Sequence, residues 1–157
     1  MWFWKFRKHK PKYRYSLKEK ETYYTNLSKN GTLGQKIIAR HNLARLDKLK
    51  DMNNNFGKVM IARDTSFYAA KNKNKSRRVI IVGYDKAKNK YDVIPVSKNN
   101  PGYLSLKNFD GNRYVESNRS YKLSSSQLYE HRGFGDNSND YLTSDEKKFI
   151  LKKRSNK

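Results

Sequence analysis

The chain reads as an α+β protein: a small β-barrel with a C-terminal helix, preceded by a basic helical N-terminal extension. Three observations carry that expectation. Capping signatures at Ser16 and Thr32 introduce two helical stretches, the pattern changes to five or six short strands after Phe56, and a third capping signature at Thr143 introduces a closing helix. With 157 residues there is chain enough for one domain with a real core, or for a small domain plus an extension. The expected division is 1–56, a basic aromatic arm and helical extension, and 57–157, the barrel domain.

Residues 1–15 alternate bases with aromatics, Trp2, Phe3, Trp4, Phe6, Tyr13 and Tyr15 among Lys5, Arg7, Lys8, Lys10, Lys12 and Arg14. Bases of this kind grip phosphates while aromatic faces stack on unpaired bases. The other reading is an arm whose aromatics pack on a protein core. Ser16-Leu-Lys-Glu19 then opens a short helix to about Leu27, broken at Asn30-Gly31. Thr32-Leu-Gly-Gln35 opens a second, from about Leu33 to Lys50. Its apolar positions Leu33, Ile37, Ile38, Leu43, Leu46 and Leu49 predict a buried stripe, with Arg40, Arg45, Lys48 and Lys50 outside. Asp51-Met-Asn-Asn-Asn55 ends it.

Val59–Arg63 is the first strand candidate, followed by the basic loop Lys71-Asn-Lys-Asn-Lys-Ser76. Two β-rich runs, Arg78–Tyr84 and Tyr91–Ser97, flank the polar turn Asp85–Lys90 and predict a hairpin. Centred on that turn, Tyr84 faces Tyr91, Val82 faces Val93, Ile81 faces Ile94 and Val79 faces Val96, pairs that suit an antiparallel ladder. The same register sets Arg78 opposite Ser97, about 5 Å apart at Cβ and within reach of one phosphate. A slip of one residue would move every side chain to the other face. Turns at Asn99–Gly102 and Phe109–Asn112 separate further strands at Arg113–Val115, Ser120–Leu123 and Gln127–Tyr129. The final helix is expected to bury Phe149, Ile150 and Leu151.

Thirty-six Lys and Arg against fourteen Asp and Glu give a net charge of +22. Residues 1–56 carry +10 and residues 57–157 carry +12, so no single basic tail accounts for it. Such an excess points to a polyanionic partner, RNA or another nucleic acid, whose counterions are released on binding. A membrane surface and a merely solvated basic face are the competing readings. The absence of cysteine excludes disulfides, thiol catalysis and zinc-finger sites. No apolar run approaches membrane-spanning length, and Met1-Trp-Phe-Trp is too short for a signal peptide's apolar region. The expectation is a cytoplasmic protein without membrane contact, cofactor or metal.

Gly57-Lys-Val-Met-Ile61, Arg78-Val-Ile-Ile-Val82, Val93-Ile-Pro-Val-Ser97, Tyr121-Lys-Leu123 and Leu142-Thr-Ser-Asp-Glu146 occur in an order that resembles the PemK/MazF family of toxin endoribonucleases, over roughly residues 57–151. The resemblance implies an SH3-like barrel, a homodimer, an acidic antitoxin partner that occludes the RNA groove, and metal-independent cleavage of single-stranded RNA at specific sequences. It places Arg78 and Ser97 in the cleaving site and the loop 71–76 where the family gates its substrate. Val79 stands where the family has proline, and Lys58 where an acid commonly follows the first glycine.

Cleavage through a 2′,3′-cyclic phosphate needs a base for the 2′-hydroxyl, a cation for the phosphorane and an acid for the departing 5′-oxygen. Arg78 suits the cationic role and Ser97 the positioning of the phosphate, but arginine is a poor general base at neutral pH. His9, His41, His131 and Asp110 are the candidates for that base, each with a bland alternative as a surface, packing or turn residue. Arg77, Lys71, Lys73, Lys75, Lys98, Trp2, Trp4, Arg7 and Arg14 are the expected nucleic-acid contacts. Three readings follow: a sequence-specific endoribonuclease, a non-catalytic nucleic-acid-binding protein on the same barrel, and a basic inhibitor of a nucleic-acid enzyme.

Overall fold

The computed structural model describes residues 15–63, 66–67, 76–98, 103–109, 111–115, 120–130 and 142–155. Ser16 caps the first helix, α1 (Leu17–Asn30), by accepting from Glu19 N while Glu19 Oε1 accepts from Ser16 N at 3.0 Å. Thr32 and Gln35 repeat that exchange at the start of α2 (Leu33–Lys48). Each box satisfies two backbone donors that a helix start leaves without partners. A short α3 (Met52–Asn55) follows, capped by Asp51.

Seven strands then form one antiparallel sheet: β1 (Val59–Arg63), β2 (Ser76–Asp85), β3 (Lys90–Ser97), β4 (Leu104–Ser105), β5 (Tyr114–Val115), β6 (Tyr121–Ser124) and β7 (Leu128–Glu130). Their order is β4-β5-β3-β2-β1-β7, with β6 also beside β3. The chain ends its described part in α4 (Ser144–Ser155). The expected α+β class and closing helix are present, and among the described residues the seven-stranded sheet is not closed. β6 and β7 are joined by a 3-10 turn at Ser125–Gln127 and pair with β3 and β1 respectively, and no ladder joins them to each other among the described residues. At that junction Ser124 N donates to the Gln127 side chain at 3.0 Å, so its donor is satisfied locally rather than by a neighbouring strand.

Both faces of the sheet are buried. Val79 and Ile81 of β2 join Leu17, Leu46 and Leu49 of the helical region on one side, while Ile80 and Val82 join Leu106, Phe109, Leu142 and Ile150 on the other. That is why β2 and β3 read as near-continuous apolar runs rather than alternating ones. It also means that the chain on either side of residue 56 shares one hydrophobic cluster. A charged clip reinforces the contact. Arg45 of α2 forks onto Glu130 of β7, with Nη2 at 3.1 Å from Oε1, and Lys20 of α1 donates to the same carboxylate at 3.0 Å.

Two expected buried stripes hold at Leu46, Leu49 and Ile150 and are corrected elsewhere. In α2 only Ala39 and Leu46 are buried; Leu33, Ile37 and Ile38 are 76, 58 and 58% exposed. In α4 Ile150 is buried, whereas Phe149 and Leu151 are 41 and 55% exposed. Each helix packs through one narrow side, and consecutive apolar residues cannot all face it at 100° per residue.

Candidate nucleic-acid interface

The site begins with the hairpin. Next to the turn the expected register holds: Asp85 pairs with Lys90, Tyr84 with Tyr91 and Gly83 with Asp92. The two tyrosine rings meet edge to face at 4.8 Å, and Asn89 takes the turn's positive φ of 53°. Between Gly83 and Ile81 the register shifts by one residue, a β-bulge at Val82, so Ile81 pairs with Val93, Ile80 with Ile94 and Val79 with Pro95. A Cβ on Gly83 would lie 2.9 Å from Asp92 Oδ2, and glycine in a strand is a common companion of a bulge.

The bulge corrects the expected pairing of Arg78 with Ser97. Continuing the observed ladder sets Ser97 level with Arg77, and Arg78 level with Val96. Arg78 instead rests its guanidinium over the Phe109 ring, 5.1 Å from the centroid. Arg77 Nη1 lies 3.4 Å from the carbonyl oxygen of Val96, a long hydrogen bond that turns the guanidinium toward the end of β3.

Although the two arginines start on opposite faces, they and Ser97 come together at the open end of the hairpin. Ser76, Arg77, Arg78, Val96, Ser97, Lys98 and Arg113 line one cleft of about 190 Å³. Four cations and two hydroxyls thus converge where β2 begins, β3 ends and the chain approaches β5. Arginine presents a planar fork of donors matched to phosphate oxygens, lysine a mobile point charge and serine a hydroxyl donor. No carboxylate or imidazole is among the described lining residues. The arrangement concentrates positive charge and hydrogen-bond donors of the kind that match an anionic oxygen group.

Of the residues expected from sequence, Arg77, Arg78, Ser97 and Lys98 are brought together here. Lys71, Lys73, Lys75, Trp2, Trp4, Arg7, Arg14, His9, His131 and Asp110 lie outside the described residues. His41 is exposed on α2, away from the lining set. Ser76 and Arg113 were missed. Arg113 follows the Asp-Gly-Asn turn, and only the packing of β5 beside β3 brings it to the cleft. Lys58, the residue after Gly57, is half-buried; burial lowers its pKa, partly opposed by Glu130.

A second cavity, of about 390 Å³, lies between α1, α2 and the hairpin turn. Its lining mixes Glu21 and Asp47 with Lys18, Lys50, Tyr84 and Tyr91, a balance of charge that gives a polyanion no advantage. Among the described residues there is no cluster of metal-ligating side chains and no helix long and apolar enough to cross a membrane. No protein-family model, curated protein or solved structure matches the chain.

Proposed function

We propose that this chain binds single-stranded nucleic acid, with RNA the leading candidate, by gripping its phosphodiester backbone in the cleft at the open end of the β2–β3 hairpin. The observation that carries the proposal is the convergence of Arg77, Arg78, Lys98 and Arg113 with the hydroxyls of Ser76 and Ser97 in one concave site. The net charge of +22 supplies the long-range field that draws a polyanion to it. The placement of β6 and β7 beside β3 and β1, joined by a 3-10 turn, supports the finer reading of the fold as an SH3-like barrel.

A second reading, cleavage of the bound strand, is favoured by one observation: Arg78 and Ser97, the pair that the PemK/MazF resemblance implicates, line the same cleft. In that reading the protein is a cytoplasmic toxin, homodimeric and restrained by an acidic partner. Ser97 positions the scissile phosphate and Arg78 stabilises the phosphorane. The general base then comes from a group outside the described lining.

Fluorescence anisotropy with a labelled oligoribonucleotide across a salt series tests the first reading. Affinity should fall steeply with salt, and Arg77→Ala and Arg113→Ala should each flatten the slope by about 0.7 per lost phosphate contact. Binding indifferent to salt, or untouched by both substitutions, would refute it. Incubating RNA with the protein under chelation tests the second: 2′,3′-cyclic phosphate ends that vanish in Arg78→Ala and Ser97→Ala support cleavage, and intact RNA rules it out.

A further inference from the structure

A nucleic-acid strand held only by phosphates would be bound without regard to whether its bases are free. The C-terminal helix supplies what the cleft lacks. Phe149, which sequence periodicity places in the core, is 41% exposed, and its ring stacks on Tyr103 with centroids 6.0 Å apart and planes at 22°. One turn further along α4, Lys153 reaches back over the Tyr103 ring, 5.3 Å from its centroid. Ile150, between them in sequence, is fully buried and anchors the helix in the cluster that contains Phe109. Tyr103 packs against that same cluster, and Arg78 of the cleft covers Phe109. The aromatic pair and Arg78, one of the cleft's cations, therefore border the same hydrophobic cluster.

The surroundings decide what covers Phe149. Lys147, Lys148, Lys152, Lys153 and Arg154 outnumber the acids of α4, where Asp145 is exposed in the first turn and Glu146 is turned inward to cap it. A single exposed ring offers far less apolar area than the roughly 800 Å² per side of a stable protein interface. A flat π-surface among cations is instead suited to one base of a polyanionic strand, the base stacking on the ring while its phosphates meet the lysines.

We propose that Phe149, backed by Tyr103 and flanked by Lys153, is a stacking platform for an unpaired base of the strand whose backbone occupies the Arg77–Arg78 cleft. The inference rests on the nucleic-acid-binding reading. It makes the protein selective for single strands, because a duplex hides the faces of its bases.

Anisotropy titrations with three labelled probes test it: a single-stranded oligouridine of about ten nucleotides, an abasic ribose-phosphate strand of equal length and charge, and an RNA duplex. The wild type should bind the base-bearing strand about tenfold more tightly than the abasic one, as expected for one stacked base. Phe149→Ala should erase that difference while leaving abasic affinity and the salt slope unchanged, and Phe149→Trp should preserve it. Because Phe149 is partly exposed, an unchanged melting temperature serves as the check on folding. If Phe149→Ala keeps the preference, or weakens both strands equally, the platform is overturned and the phosphate cleft stands. If the wild type binds neither strand at low salt, the nucleic-acid reading itself falls.

Discussion

Glu130 offers the sharpest test of how the helices are held to the sheet. Its carboxylate is 18% exposed and accepts from Arg45 and Lys20, which lie on different helices. Burial alone would raise its pKa; the Arg45 hydrogen bond and the charges of Lys20 and Arg45 outweigh that and hold it at about 2 instead of 4.5. At about 1.36 kcal/mol for each tenfold change in proton affinity, the difference amounts to roughly 3 kcal/mol. Arg45 is 40% exposed, so solvent screens part of its attraction, and about 2 kcal/mol is the expected contribution at neutral pH. A depressed folded-state pKa stabilises fully above the unfolded value. The contribution is therefore complete above about pH 5 and drains away as pH falls from 4.5 toward 2. Urea unfolding of wild type and Glu130→Gln at pH 7 and pH 3 reads both the size and the sign. The substitution should cost about 2 kcal/mol at pH 7 and distinctly less at pH 3. Equal stabilities at pH 7, or a gap that widens on acidification, would refute the reasoning.

Three further outcomes follow from single contacts. Glu146 is buried and accepts from Lys107 N at 3.0 Å and Thr143 N at 2.8 Å, so Glu146→Ala strands two backbone donors and should cost about 2 kcal/mol by chemical denaturation. Gly57 has φ of +85°, and Gly57→Ala should lower stability by about 1 to 2 kcal/mol; the Lys147 side chain, 3.0 Å from the new Cβ, can swing clear and adds little. Ile37→Ser, at an exposed position of α2, should change stability by no more than about 0.5 kcal/mol in a thermal melt, whereas the same change at Ile80 should prevent folding or cost several times more.

What could be read from the chain in advance divides along physical lines. The capping boxes at Ser16, Thr32 and Thr143 were legible because each is a contact between residues three apart, closed without help from the rest of the molecule. The same holds for the hairpin turn and the Tyr84–Tyr91 pair beside it. The bulge lay beyond a register drawn with a ruler from the turn. Its one local sign was Gly83, in an otherwise β-branched strand, and recognising it would have moved Ser97 from Arg78 to Arg77. The exposed sides of α2 and α4 were illegible for a different reason: both helices carry more apolar residues than their contact with the sheet can cover. Arg113 reached the cleft through strand order, which no local pattern encodes. The Glu130 clip escaped notice too, since its three residues sit far apart in sequence and carry no spacing.

Ser16 does more than open a helix. It forms an antiparallel bridge with Tyr129, and so lies along the outer side of β7, the strand that ends the sheet. At the opposite end of the strand order, β4 is only two residues long. A protein concentrated along a polyanion loses the mutual repulsion that a net charge of +22 otherwise provides. Neighbouring copies would then be free to zip together strand to strand wherever a long bare edge was on offer. With the β7 edge bridged by the chain's own approach to α1 and the β4 edge cut short, neither end of the strand order offers a long bare edge to a crowded neighbour.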